Sequence, residues 1–325
     1  MKKIFSILIL ILFFSCNKQE THAYGFYYWK TRLSFKDSEK NILEQSPLSN
    51  LYVRFFDVDK MGGKFQPVSV ISKSENFRSS KHIVPVIFIT NRTFLYIKDS
   101  EVDFLAKSIH QLIEKKTKEL SFKDASETQI DCDWTAGTKN DYFKFLKKLK
   151  ALSHTEITST LRLHQVKDKV TMGIPPVSKV YLMCYSTSSP LENSDKNSIL
   201  DILILKNYLS DVQNYPIKKI DVALPIYSWG IIKNHFGKHK LINALSEKDL
   251  NHKDLEKISE NEAAVRKDGF FFGYYLNKGF RIKVEQIPEQ TLDETVNFLD
   301  QKIPKFNIIY YQLDERFIRN RNFNR

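Results

Sequence analysis

Two carboxylates two residues apart, Asp131 and Asp133, interrupt an apolar run over 128–135 that reads TQIDCDWT and includes Trp134. In a strand, residues i and i+2 point to the same side. Asp131 and Asp133 therefore project together, with Thr135 next along that line and Cys132 on the opposite face. Two acids on a face otherwise suited to burial are costly unless something pairs with them, and like charges raise each other's pKa. The chemistry such a pair can do is proton transfer or the binding of sugar hydroxyl groups.

Eight strand-like runs could carry this pair: 23–29, 51–58, 83–90, 129–134, 156–164, 180–185, 220–227 and 307–313. Most are followed by helical patterns. The clearest is 102–120, with Phe104, Leu105, Ile109, Leu112 and Ile113 on one stripe. Thr138-Lys-Asn-Asp141 reads as a capping box opening a helix over 142–152, and 198–212 reads as a further apolar helix. Near-continuous apolar strands alternating with helices predict an α/β fold with a parallel sheet covered on both faces. Eight is the number that closes a (β/α)8 TIM barrel. Between strands seven and eight the spacing predicts a small α+β insertion, about 235–290. It would hold a helical pattern over 241–265 and a hairpin turning at Asn277-Lys-Gly279.

In such a barrel the working residues lie at the C-terminal strand ends. Those ends supply Trp29, Asp57, Asp131, Asp133, Trp134, Arg162, Tyr185, Tyr227, Trp229, Gln312, Asp314 and Glu315. Aromatic rings that stack on the apolar faces of a sugar, beside acids that bind its hydroxyls or move protons, suit a glycan. Asp131, Asp133, Tyr185, Asp57 and Glu315 are the candidate catalytic groups. Trp29, Trp134, Arg162, Tyr227, Trp229, Gln312 and Asp314 are the candidate sugar-binding groups. Each has a plainer reading: a strand-end tryptophan also packs barrel rims, and an aspartate after a strand also caps the next helix. Glu315 stands beside Arg316 and Arg319 and also reads as a surface residue.

The segment 128–135 resembles the fourth-strand signature of the chitinase-like (family eighteen type) glycoside hydrolases, Asp-Gly-x-Asp-x-Asp-x-Glu, commonly with Trp before the Glu. Met183-Cys-Tyr185 resembles their Met-x-Tyr-Asp element, and Val222-Ala-Leu-Pro225-Ile-Tyr227 their Gly-x-Pro-x-Tyr. Together with a Tyr-Phe-x-Phe-Leu helix and ALPIYSWG, these motifs are similar to those of a bacterial lipoprotein family related to such barrels. The resemblance implies that Asp133 assists a substrate acetamido group and that Tyr185 and Tyr227 position the sugar. The departures are as telling. The family's first Asp falls on Thr128, its proton-donating Glu on Thr135, and the Asp after the sixth-strand Tyr on Ser186. A threonine hydroxyl cannot protonate a glycosidic oxygen near neutral pH. Three readings remain open: hydrolysis through Asp133 and an unconventional acid such as Asp57, Asp314 or Glu315; a degenerate barrel that binds glycan without cutting it; and a scaffold lipoprotein.

The chain opens on Lys2 and Lys3, an apolar run over 4–14 and Phe13-Phe14-Ser15-Cys16, which resembles a lipobox. The run is too short to span a bilayer. It predicts a signal peptide over 1–16, lipidation on Cys16, a tether over 17–22, a barrel over 23–317 and a tail over 318–325. A bacterial cell-envelope location follows, lipid-anchored and compatible with the outer membrane. About 310 residues remain after the signal, enough for one large α/β domain, expected as a monomer. The net charge of +12 comes from scattered lysines without a nucleic-acid-binding motif, so no nucleic-acid partner is expected. Cys132 and Cys184 read as buried thiols, and the dispersed histidines predict no metal; no cofactor is expected. Serine-hydrolase elbows, Walker loops and Rossmann glycine fingerprints are missing from the sequence.

Overall fold

The computed structural model describes residues 21–123, 125–192, 195–319 and 321–325; the signal segment and Cys16 lie outside the described residues. Eight parallel strands close into a barrel: β1 (Tyr24–Tyr28), β2 (Asn50–Met61), β3 (His82–Ile89), β4 (Glu127–Asp131), β5 (Glu156–Arg162), β6 (Lys179–Met183), β7 (Lys219–Pro225) and β8 (Ile308–Tyr311). Closure is direct, because β1 pairs with both β2 and β8. These are the eight predicted runs. Both faces of each strand meet other groups, the barrel interior on one side and the outer helices on the other, so residues of both parities are apolar.

The outer layer follows from helical spacing. Asp99–Glu119 buries Val102, Leu105, Ala106 and Ile109, and Lys139–Leu152 buries Tyr142, Phe145, Leu146 and Leu149. Each fully buried side chain of this kind is worth ~1.5–3 kcal/mol. The predicted capping box at Thr138 does not form. Its hydroxyl accepts from the Thr135 N–H and donates to Asn91, so it ties the turn after β4 to the turn after β3. The helix predicted over 198–212 shrinks to Ile202–Tyr208, started by Asp201, whose carboxylate accepts from the Leu203 and Ile204 N–H groups.

The segment between β7 and β8 differs most from expectation. It is not helical over 241–265. It carries a five-stranded antiparallel sheet of His239–Asn243, Trp229–Lys233, Arg281–Glu285, Glu262–Val265 and Leu255–Lys257, in that spatial order. The hairpin turns at Phe272-Gly273, between Gly269–Phe271 and Tyr274–Leu276, not at Asn277-Lys-Gly279. The sheet has its own small core, including Ile232, Leu250, Val265, Ile282 and Val284. Gly230 admits no side chain there, since a Cβ would stand 2.3 Å from Leu245 Cδ1. Chain termini also depart from expectation. Phe323, in the predicted tail, is buried against Tyr24, Phe26 and Tyr310, and Arg325 pairs with Asp293 and Glu289.

Candidate functional site

β4 delivers the acids. Its alternation sends Glu127, Gln129 and Asp131 into the barrel, and Asp133 follows at the mouth. Cys132 and Trp134 face outward, so Trp134 is not a mouth residue as predicted. It is fully buried and stacks on Tyr142 at 5.2 Å, and its indole N–H donates to the Met172 carbonyl at 3.0 Å. Period two, applied one residue further, places it there. Cys132 and Cys184 are buried free thiols, and burial pushes both thiols up.

At the mouth, Asp131 and Asp133 line a cleft of about 530 Å³ with Trp29, Arg54, Phe88, Arg162, Met183, Tyr185, Ser186, Tyr227, Ser228, Trp229, Asn243, Tyr311, Gln312, Arg316 and Phe317. The two acids live in different settings. Asp131 is 5% exposed and accepts one hydrogen bond, from the Thr160 hydroxyl at 2.8 Å. Burial, with the Asp133 charge beside it, pushes its carboxyl up to about 7, against the pull of Thr160 and Arg162. Asp133 is wetter, and the Arg162 guanidinium donates to both of its oxygens at 3.0 Å.

Facing them is an aromatic wall. Tyr185 stacks on Tyr311 at 5.5 Å; Tyr227 meets Tyr311 at 5.7 Å and Trp229 at 5.3 Å; Trp29 meets Tyr311 at 5.4 Å. Burial raises the phenols of Tyr185, Tyr227 and Tyr311, which stay protonated as donors. Trp229 opens the five-stranded sheet, and its indole N–H is fixed on Glu285 at 2.9 Å. Through Trp229 and its paired neighbour Asn243, that sheet completes one side of the cleft.

The three alternative acids are engaged elsewhere. Arg54 grips both oxygens of Asp57, and Arg54, not Asp57, faces the cleft. Asp314 is buried, caps the turn Glu315–Ile318, and is held by Arg316 at 2.8–2.9 Å and Lys30 at 3.4 Å. These partners hold its carboxyl below the usual range, although burial works the other way. Glu315 lies outside the cleft lining, paired with Lys36 at 2.9 Å and Arg319 at 3.4 Å, which lower its carboxyl. Thr135 is exposed and belongs to the turn before Lys139–Leu152, not to the cleft lining. Sequence reasoning missed Arg54, Asn243, Tyr311 and Arg316. Arg54 carried a signal, as a lone cation inside an apolar strand, and so did Tyr311, one residue before Gln312.

A closed parallel barrel with this mouth defines the class: the chain has the fold of the chitinase-like glycoside hydrolase barrels. Among solved structures it is similar to the spore cortex-lytic enzyme SleL of Bacillus megaterium, with a TM-score of 0.55 at 14% identity, covering 90% of this chain and 71% of that one. The Bacillus cereus SleL gives 0.53 at 14% identity, with the same coverage. A chitinase of the Yersinia entomophaga toxin complex gives 0.50 at 9% identity, covering 90% and 82%. No protein-family model matches the chain, and no curated protein matches it in sequence.

Proposed function

We propose that the mouth binds a glycan bearing acetamido groups without cleaving it, and that lipid on Cys16 holds the protein to the bacterial cell envelope, at the outer membrane. One observation carries the binding reading. The aromatic wall and the Asp131–Asp133 pair meet in one cleft, and those two aspartates are the carboxylates among its described lining residues. An acetamide needs an acceptor for its N–H and a donor for its carbonyl. The Asp133 carboxylate, oriented by Arg162, supplies the first, and a protonated tyrosine such as Tyr227 supplies the second. Sugar rings stack on Trp29, Tyr311 and Trp229. Cleavage would need a protonated acid open to the glycosidic oxygen, and Asp131, whose carboxyl is raised to about 7, is instead buried beneath Asp133 on the Thr160 hydroxyl. Thr135 stands in that register, and Asp57, Asp314 and Glu315 are each bound to cations. The similar solved structures are named for a spore-cortex-lytic enzyme and a chitinase, which supports a glycan as the ligand class.

Titration calorimetry with N-acetylated oligosaccharides and their deacetylated counterparts tests this reading. The acetylated series should bind at least about tenfold more tightly, because deacetylation removes the carbonyl that accepts from the tyrosine hydroxyl and the methyl packed on the aromatic wall, while the amine still donates to Asp133. Equal binding of the two, or none of either, contradicts the reading.

A further inference from the structure

The N-terminal end of the barrel, opposite the mouth, carries a groove of about 490 Å³ with Phe77 and Phe122 among its walls and Lys73, Arg78, Lys81 and Lys123 around them. Among the described residues, no carboxylate lines it. The cations are held from below by backbone: Lys81 donates to the Ser46 and Leu48 carbonyls, Lys73 to the Leu120 carbonyl, and Arg78 to the Glu75 and Phe77 carbonyls. These bonds fix position without neutralising charge. Glu44 acts on Lys81 from outside the groove. Arg78 and Lys123 are exposed.

The chain enters the barrel on the same face. His22 is pinned by Asp300 at 2.8 Å and stacks on Phe306 at 4.0 Å, and the Leu48 that holds Lys81 also donates its N–H to the Tyr24 carbonyl. From Cys16 to His22 the backbone reaches at most about 21 Å. The helix Asp99–Glu119, 21 residues running from mouth to floor, measures roughly 30 Å. A lipid on Cys16 therefore cannot let the mouth rest on the bilayer. We infer that the floor groove docks on anionic lipid headgroups, so that the barrel stands floor-down with its mouth turned away from the membrane. The inference rests on the lipid-anchor reading given above. A cationic, aromatic-backed surface beside a short tether is suited to phosphate headgroups, and the attraction acts only within about a Debye length.

The test uses the full lipidated chain in vesicles that carry a nitroxide on their headgroups. A fluorophore is attached through Ser80→Cys at the groove or through Ala136→Cys after β4; both sites are exposed, and the native thiols Cys132 and Cys184 are buried. With about one-third phosphatidylglycerol, the probe at 80 should be quenched at least threefold more than the probe at 136. In phosphatidylcholine alone, or with Arg78→Glu and Lys123→Glu together, the ratio should drop by at least half, to the remainder that the short tether alone imposes. Equal quenching in anionic vesicles, or a ratio untouched by charge reversal, overturns the docking surface. The anchor is scored separately: if the wild type floats with vesicles no better than Cys16→Ser, the lipid reading fails and takes the inference with it. A chain that floats but shows equal quenching fails the orientation alone.

Discussion

One strand builds both ends of the barrel, and its two ends treat charge differently. At the floor, Glu127 accepts from Thr158 at 2.8 Å and Tyr181 at 2.6 Å, and Lys179 lies between Glu127 at 3.8 Å and Asp221 at 2.8 Å. Tyr52 extends the network to Tyr181, and Asp221 accepts the Asn307 N–H. Every acid there has its partners inside the protein. Four residues up the same face, Asp131 has one hydrogen bond and a like charge beside it, and Asp133 leans on one guanidinium. Between them, the buried Gln129 amide and the Tyr27 hydroxyl make no hydrogen bond of ordinary geometry among the described residues. Floors that are fully paired hold a fold together; mouths with spare hydrogen-bonding capacity are built to receive something else.

Breaking the floor should cost most. Lys179→Met leaves Glu127 and Asp221 facing each other without their cation, and should destabilise by about 3 kcal/mol or more in urea unfolding. A loss under about 1 kcal/mol would mean that the floor is no more paired than the mouth.

The mouth should reveal itself through pH. With Asp131 raised from 3.8 to about 7 in the folded protein, the folded state holds an extra proton across that window. Stability therefore falls as pH rises between those values. Asp131→Asn keeps the Thr160 bond and removes the titration. It should flatten the profile and gain on the order of 2–4 kcal/mol over wild type at pH 8, relative to their difference at pH 4. Parallel profiles would contradict the strained setting of Asp131.

Asp133→Asn sharpens the contrast from the other side. Its half-exposed side chain adds little to the fold, so unfolding should shift by less than about 1 kcal/mol while glycan affinity drops about 10–100-fold. Smallest of all, Glu315→Gln should move stability by less than about 0.5 kcal/mol and leave binding untouched, because its ion pairs lie outside the cleft. A loss of binding there would put Glu315 back in the mouth.

The sequence made the eight strands legible because each is an apolar run bounded by polar turns. It misled over 241–265, where Leu241 and Leu245, four apart, and Ile258 and Val265, seven apart, imitate helical spacing. The span is broken into separate short strands, a 3₁₀ turn and the loops between them, and only strand pairing, which is non-local, reveals it. In the mouth, Asp131 and Asp133 could be placed from period two alone, and the same rule was the one that should have sent Trp134 outward. Trp29, Arg162, Tyr185, Tyr227, Trp229 and Gln312 reach the cleft because strand ends converge in a closed barrel. What stayed hidden was which acids are held by cations: Arg54 on Asp57 is local, but Lys30 reaches Asp314 from the far end of the chain.

The most direct test of a binding mouth is to assay turnover and binding on one sample of the chain starting at Asn17, with acetylated oligosaccharide recovered after prolonged incubation. Bound ligand recovered at its original length, with affinity weakened by Asp133→Asn, is the predicted result. Shortened products that vanish in Asp133→Asn would contradict it and make the mouth an active site with an acid supplied from elsewhere.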